Sequence, residues 1–368
     1  MRVRLLSFAC AGVLCITLTL GLWPFHVPRN DVSWLGNRNG LHFGGSGTVF
    51  SDSAFMMTAA GNRPSCSLEI WLQSDNIWRF STFLVFYVPG NPVPFSLHQS
   101  QTSLSLQTAI QDNRHHAEMK DLYVEHAFRA TGPTFITVTS GAQGTAVYLD
   151  GTMAKREPQS PLCTQAFAGR LVLGDSAEQG DSWSGKLLGL AIYDRELTPP
   201  QVLEHYETWT QRKRSKIPEN EGIAAYSFDE RTGKVIHSRG GSGPELQIPE
   251  TYTVLGQAFL ESPWSEFRRS ELRRSNSFWS AVNKNIIGFI PLGFCFCAYF
   301  SFGRRTRRAV LATVTFGIVV SFTIEVLQAF LPTRDSGVTD LITNTLGTYI
   351  GVLLYRAAKH NLGEWWPW

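Results

Sequence analysis

The chain has 368 residues, length for about two to three domains. Its net charge of +3 is too small for a nucleic-acid binder. Apolar residues make up 43% of it but gather at the two ends, leaving a polar centre, which suggests a membrane protein with a large water-exposed insert.

The first apolar segment runs from Leu5 to Phe25 behind Arg2 and Arg4. We read it as an uncleaved anchor, the alternative being a cleaved signal peptide. The stretch is longer than a usual signal core, and its A-x-A triplet, Ala9-Cys10-Ala11, falls inside rather than after it.

Residues 41–197 then read as many short strands. "CSLEIWLQS", "FSTFLVFYV", "TFITVTS", "GRLVLGD" and "GKLLGLAIYD" are rich in β-branched, aromatic and leucine residues and are separated by Gly, Pro, Asn and Asp. That spacing predicts an all-β sandwich. Asp150-Gly151 predicts a type I′ hairpin within "TAVYLDGTMAK". "LTPPQVLEHYETW" changes period: Thr198 caps, Pro199 takes the first helical position, and Val202, Leu203, Tyr206 and Trp209 form the apolar face. Trp78 and Trp183 suit core packing better than stacking against a ligand, and His115-His116 reads as an exposed loop pair rather than a metal site.

Three more apolar segments follow, at Asn285–Phe302, Ala309–Leu331 and Leu341–Ala358. Each approaches the roughly 20 residues a helix needs to cross about 30 Å of hydrocarbon. The fold class expected is therefore mixed: a four-helix transmembrane bundle carrying an extracytoplasmic β-sandwich. Boundaries fall at 1–27 for the first helix, 28–211 for the sandwich and 212–280 for a small β extension and juxtamembrane linker. The three-helix membrane domain spans 281–358, with a cytoplasmic tail at 359–368.

Orientation follows Lys and Arg. Arg2 and Arg4 put the N-terminus in the cytoplasm, with Arg304, Arg305, Arg307, Arg308, Arg356 and Lys359 on the same side and residues 28–280 outside. Arg268, Arg269, Arg273 and Arg274 disagree, but long domains translocate largely regardless of charge. Trp264, Phe267, Phe278 and Trp279 flank these arginines, so the stretch reads either as lying along the membrane interface or as a solvated linker.

Of six cysteines, only Cys66 and Cys163 lie in the outer region, and they are the pair that an oxidising compartment would allow to bond. Spacing alone does not bring them together.

Polar residues inside the apolar segments mark the candidate site. Glu325 lies about 9 Å before the helix end at Leu331, with Gln328 on the same face. Asp340 and Asn344 share a face at the start of the returning helix, and Asn283, Lys284 and Asn285 open the second segment. All fall at the outer end of the bundle. Ionisable groups in membrane helices normally face the interior and are functional candidates; amides alone would read as interhelical hydrogen-bond glue. With Glu325, Arg334 and Asp340 added, we read a binding site. Gly288, Gly293, Gly347 and Gly351 would permit close helix packing.

Two resemblances extend this reading. "NGLHFGGSG", "LEIWLQ", "VYLDGTMA" and "WSGKLLGLAIYDRELTPPQVLEHY" resemble the laminin-G-like, concanavalin A-like jelly roll over about residues 35–210. "GIAAYSFDERTGKVIHSRGGSGPELQIP" resembles the opening strands of a second such module, which would either add strands to the first sandwich or form a small subdomain. The fold implies glycan or protein binding. It includes glycosidases, but the E-x-D-x-E signature of one such family is absent and Glu69 stands alone, so hydrolysis is disfavoured. The fold also permits calcium, yet no Asp/Asn-rich loop picks out ligands; no metal or cofactor is expected.

"NIIGFIPLGF" with "FTIEVLQAFLPTRDSGVTDLITNTLGTYIG" resembles the VanZ-like membrane family over about residues 280–356, and "LWPFHVP" resembles the end of that family's first helix. The family is named for a protein associated with resistance to the glycopeptide teicoplanin, which implies a cell-envelope role. Residue by residue, the resemblance singles out Asn285, Glu325, Gln328, Arg334, Asp340 and Asn344. The expected protein is a non-enzymatic envelope receptor without catalytic residues. Its partners would be membrane lipids and a cell-wall glycan or lipid-linked precursor, with no nucleic acid. The alternative is a membrane enzyme using Glu325 or Asp340 as general base.

Overall fold

The computed structural model describes residues 2–56, 65–89, 95–111, 117–158, 162, 167–176, 182–210, 222–241, 243–257, 259–265, 267, 277–302, 306–334 and 336–362. Cys163, His115, His116, Arg268, Arg269, Arg273, Arg274, Arg304 and Arg305, each named above, lie outside the described residues. The chain divides into two compact units, one of residues 1–27 with 257–368 and one of residues 28–256.

Helix α1 (Arg2–Leu22) precedes the second unit. That unit begins with β1 (Val32–Trp34), β2 (Leu41–Phe43), β3 (Val49–Ser51), β4 (Cys66–Ser74) and β5 (Phe80–Tyr87). It continues with β6 (Phe95–Ser100), β7 (Ser103–Gln111), β8 (Ala117–Val124), β9 (Thr134–Gly141), β10 (Gly144–Leu149) and β11 (Thr152–Glu157). After β12 (Arg170–Leu173) and β13 (Gly185–Tyr193) come α2 (Pro199–Thr210), β14 (Ala224–Tyr226), β15 (Val235–Ile236) and β16 (Leu246–Gln247).

The first sheet runs β1-β2-β13-β4-β9-β10-β11, with β14 also pairing β13; the second runs β15-β16-β3-β12-β5-β6-β7-β8. The pairings between these strands are antiparallel. The stretch 222–249 thus adds strands to both sheets of the one sandwich. Between the sheets lies a core that includes Leu68, Ile70, Phe86, Leu106 and Trp183. Trp183 is buried there, its Nε1 donating to Gln99 Oε1 at 2.9 Å. Trp78, expected in the core, is exposed instead.

Local signals hold where the chemistry is local. At the β10–β11 turn Asp150 and Gly151 both have positive φ (49° and 79°), the requirement of a type I′ turn. Thr198 and Gln201 make half of a capping box: the Gln201 side chain accepts from the Thr198 backbone N–H at 3.0 Å and from its hydroxyl at 2.9 Å.

The α2 face is rotated from the one read off the sequence. Val202, His205 and Trp209 are buried, while Leu203 is exposed. His205 turns inward because the outer face of β4 and β13 holds its partners. Its Nδ1 lies 3.0 Å from Glu69 Oε1, and the Tyr193 hydroxyl donates to Glu69 Oε2 at 2.8 Å. Glu69 is therefore a satisfied carboxylate under a helix. Cys66, at the start of β4, is disulfide-bonded.

The other unit packs α1 with α3 (Ser277–Phe300), α4 (Thr306–Gln328) and α5 (Val338–Leu362). Helices α1, α3 and α4 are long and apolar enough to cross a membrane. Four crossings were expected; α5 has 25 residues, but Asp340 in its first turn and Lys359 and His360 in its last make it more polar than the others. Phe8, Leu20, Leu311, Val319 and Phe322 are exposed, an apolar surface suited to lipid rather than water. Helix α3 begins at Ser277, earlier than the apolar run suggested, so Asn285 sits inside it rather than at its start. Phe278 and Trp279 lead this extension, in edge contact with each other, and Phe278 also meets Phe267.

Candidate functional site

Helices α3 and α5 meet backbone to backbone. A Cβ on Gly347 would lie 2.3 Å from Ile286 O, and one on Gly351 would lie 2.2 Å from Ile290 O. On α3, Gly293 would meet Thr348 O at 2.0 Å. Gly288 faces open space and takes no part. This approach lets short polar side chains on neighbouring helices reach each other.

All six residues picked from the sequence lie in this bundle; the structure brings Asn285 and Asp340 together and holds each of the others in a hydrogen bond to a neighbouring helix or turn. Asn285 Nδ2 donates to Asp340 Oδ1 at 2.6 Å, tying α3 to α5. One turn on, Asn344 Nδ2 donates to Ser321 Oγ at 3.0 Å, tying α5 to α4. Ser321 lies one turn before Glu325, whose Oε2 accepts the Gly337 backbone N–H at 2.9 Å. Gln328 Nε2 donates to the Gly21 carbonyl of α1 at 2.8 Å. Arg334 donates from Nε, at 2.8 Å, and from Nη2 to the Trp23 carbonyl. Asn283 and Lys284 are exposed and form no part of the chain of contacts.

Burial is graded along this network. Glu325, Gln328 and Asn344 are buried, while Asn285, Arg334 and Asp340 are half-buried and form its accessible side. The turn between α4 and α5 is also held by the segment that leads in from residue 257. Gln257 Nε2 donates to the carbonyls of Gln328 (3.3 Å) and Leu331 (2.9 Å). Glu261 N–H donates to Ser336 O at 2.8 Å, and Val338 N–H donates to Glu261 O at 2.9 Å. Sequence reasoning missed Ser321, Ser336 and Thr339. Ser321, spaced four residues from Glu325, carried a signal that could have been read; the other two matter only through the tertiary turn.

The sandwich offers a second polar surface. In the second sheet, Leu97, Leu104, Leu106, Leu122 and Val124 point into the core. The alternate positions point the other way. There Thr82 Oγ1 and Ser96 Oγ flank the His98 ring at 2.8 and 2.7 Å, and the Ser105 hydroxyl donates to Asp121 Oδ1 at 2.6 Å. Tyr123 pairs with Ser105 across the strands and is exposed beside this row. Thr82, Ser96 and Ser105 are themselves buried, so the accessible groups are the half-buried His98 imidazole, the Asp121 carboxylate and the Tyr123 ring, groups of the kind that polyhydroxyl ligands meet. Among the described residues no group of three or more His, Cys, Asp and Glu side chains could hold a metal ion.

A two-sheet antiparallel sandwich, together with a helical unit that presents apolar sides and a polar network, defines a membrane protein bearing a lectin-like domain. The chain carries a VanZ-like domain and a concanavalin A-like domain: the VanZ/LLP1 family profile matches residues 230–359, and that of the concanavalin A-like lectin/glucanases superfamily matches residues 43–203. Protein VanZ of Enterococcus faecium is 30% identical over 80 residues, 22% of this chain. The match spans 47% of that relative's length. Among solved structures, the botulinum neurotoxin serotype D binding domain is similar at 15% identity and a TM-score of 0.35, over 50% of this chain and 46% of that one. The Ruminococcus gnavus sialidase CBM40 bound to α2,3-sialyllactose is similar at 11% identity and a TM-score of 0.34, over 45% of this chain and 96% of that one.

Proposed function

We propose that this protein is a non-enzymatic receptor of the bacterial cell envelope. In this reading the bundle crosses the cytoplasmic membrane four times, with the N-terminus inside and residues 28–280 outside. The sandwich binds a glycan on the accessible groups His98, Asp121 and Tyr123, with the buried Thr82, Ser96 and Ser105 hydroxyls holding the imidazole and the carboxylate from beneath. The bundle takes a lipid or lipid-linked headgroup at Asn285, Glu325, Gln328, Arg334, Asp340 and Asn344. The observation that carries the reading is the set of hydrogen bonds at one end of the bundle that hold Asp340 on the half-buried side, Asn344 one turn further along, and Glu325 inside. Buried ionisable groups in a membrane unit are costly and are normally retained for function.

The test uses the full chain in lipid nanodiscs, screened against envelope glycans. Saturable binding of one glycan class is expected, weakened about tenfold by Tyr123→Ala through loss of a stacking ring and unchanged by Glu325→Gln. Turnover of a lipid-linked precursor that vanishes in a correctly inserted Asp340→Asn variant would establish the enzymatic alternative instead.

A further inference from the structure

The bundle network has a surplus of buried acceptors. The Gln328 amide donates to the Gly21 carbonyl, and a carbonyl can only accept, so the amide's orientation is fixed and Oε1 is its free end. Gln328 Oε1, Asn344 Oδ1 and Thr339 Oγ1 have no hydrogen-bond partner among the described residues. All three residues are more than nine-tenths buried, at 7%, 4% and 7% exposure. Each adjoins a carboxylate. Gln328 is one turn from Glu325, Asn344 is one turn from Asp340, and Thr339 sits between Asp340 and the Gly337 N–H that holds Glu325. Buried polar atoms left without partners are costly; the two amide oxygens can only accept and the Thr339 hydroxyl can accept too, so the chemistry missing from this end of the bundle is a donor.

We propose that the network binds a primary ammonium group, which brings three N–H donors and a positive charge to the orphaned oxygens and the two carboxylates. This rests on the headgroup reading above and names its chemistry. A phosphate would set acceptors against acceptors, and Arg334, the cation that would answer one, directs Nε and Nη2 at the Trp23 carbonyl. A quaternary ammonium carries the charge but no N–H. The ammonium can come from a lipid headgroup or from a free amine; the recognition chemistry is the same.

The experiment places the full chain in phosphatidylcholine nanodiscs with a fluorescent phosphatidylethanolamine and displaces the probe with unlabelled lipids. Phosphatidylethanolamine should compete about tenfold better than phosphatidylcholine, the worth of roughly one charge-assisted hydrogen bond. Thr339→Val, which removes only the hydroxyl, and Gln328→Leu should each bring that ratio towards one. Competition by free ethanolamine at similar concentration would assign a soluble amine; competition by the lipid alone would assign a headgroup. Equal competition by the ethanolamine and choline lipids overturns the proposal, as does displacement by calcium chloride but not by amines. Preferential displacement by phosphatidylglycerol overturns the ammonium while leaving a headgroup site standing. Loss of all discrimination, from folded protein, removes both.

Discussion

Tyr226 lies fully buried at the edge of the sandwich core, its hydroxyl donating to the Pro244 carbonyl. Burial first, and the nearby Asp52 charge second, push that hydroxyl well above the usual phenol range. Its folded pKa therefore exceeds its unfolded one, so the neutral form favours the fold. The contribution is complete below about pH 10, the ordinary tyrosine value, and is lost as the pH rises beyond it. Thermal melts of the protein in detergent should show stability falling above that pH, with a shallower fall in Tyr226→Phe. A steep alkaline loss persisting unchanged in the variant would contradict this assignment. His205 shows the limit of what single residues reveal in sequence. It lies off the stripe of Val202, Leu203, Tyr206 and Trp209, and Glu69, 136 residues away, draws it inward. No local pattern carries that information.

Between elements, the decisive contacts are those of glycines. Gly351→Ala would force a methyl towards Ile290 O, and overpacking of this kind costs about 1–3 kcal/mol. The variant should melt earlier in detergent and lose the contact between Asn285 and Asp340. Gly288→Ala has nothing within reach and should be neutral or slightly stabilising, since alanine is the better helix former. Equal melting of the two variants would mean that α3 and α5 do not meet as described. The sequence marks Gly288, Gly293, Gly347 and Gly351 alike, because spacing shows which residues share a helix face but not what that face meets. By contrast the Asp150-Gly151 turn and the start of α2 at Pro199 were legible: each is settled within a few residues.

At the scale of the whole chain, hydropathy separates the apolar ends from the β centre, so the two-part organisation was legible. The fate of residues 222–249 was not, since β14, β15 and β16 are two or three residues long and join the sheets through β13, before α2, and through β3, far away in sequence. A further consequence follows from the turn between α4 and α5. Arg334 holds the Trp23 carbonyl just before the sandwich starts, and Gln257 holds the Gln328 and Leu331 carbonyls just after it ends. The two seams of the insertion are thus fastened to the same few residues, and chain termini that lie close together are what tolerate domain insertion. The sandwich is in that sense a spliced cassette. Replacing residues 28–256 with a short Gly/Ser linker should leave a bundle that inserts, and that melts in detergent within a few degrees of the parent's helical transition. The small helical protein so produced would then have its closure, and not its cargo, to thank for its shape.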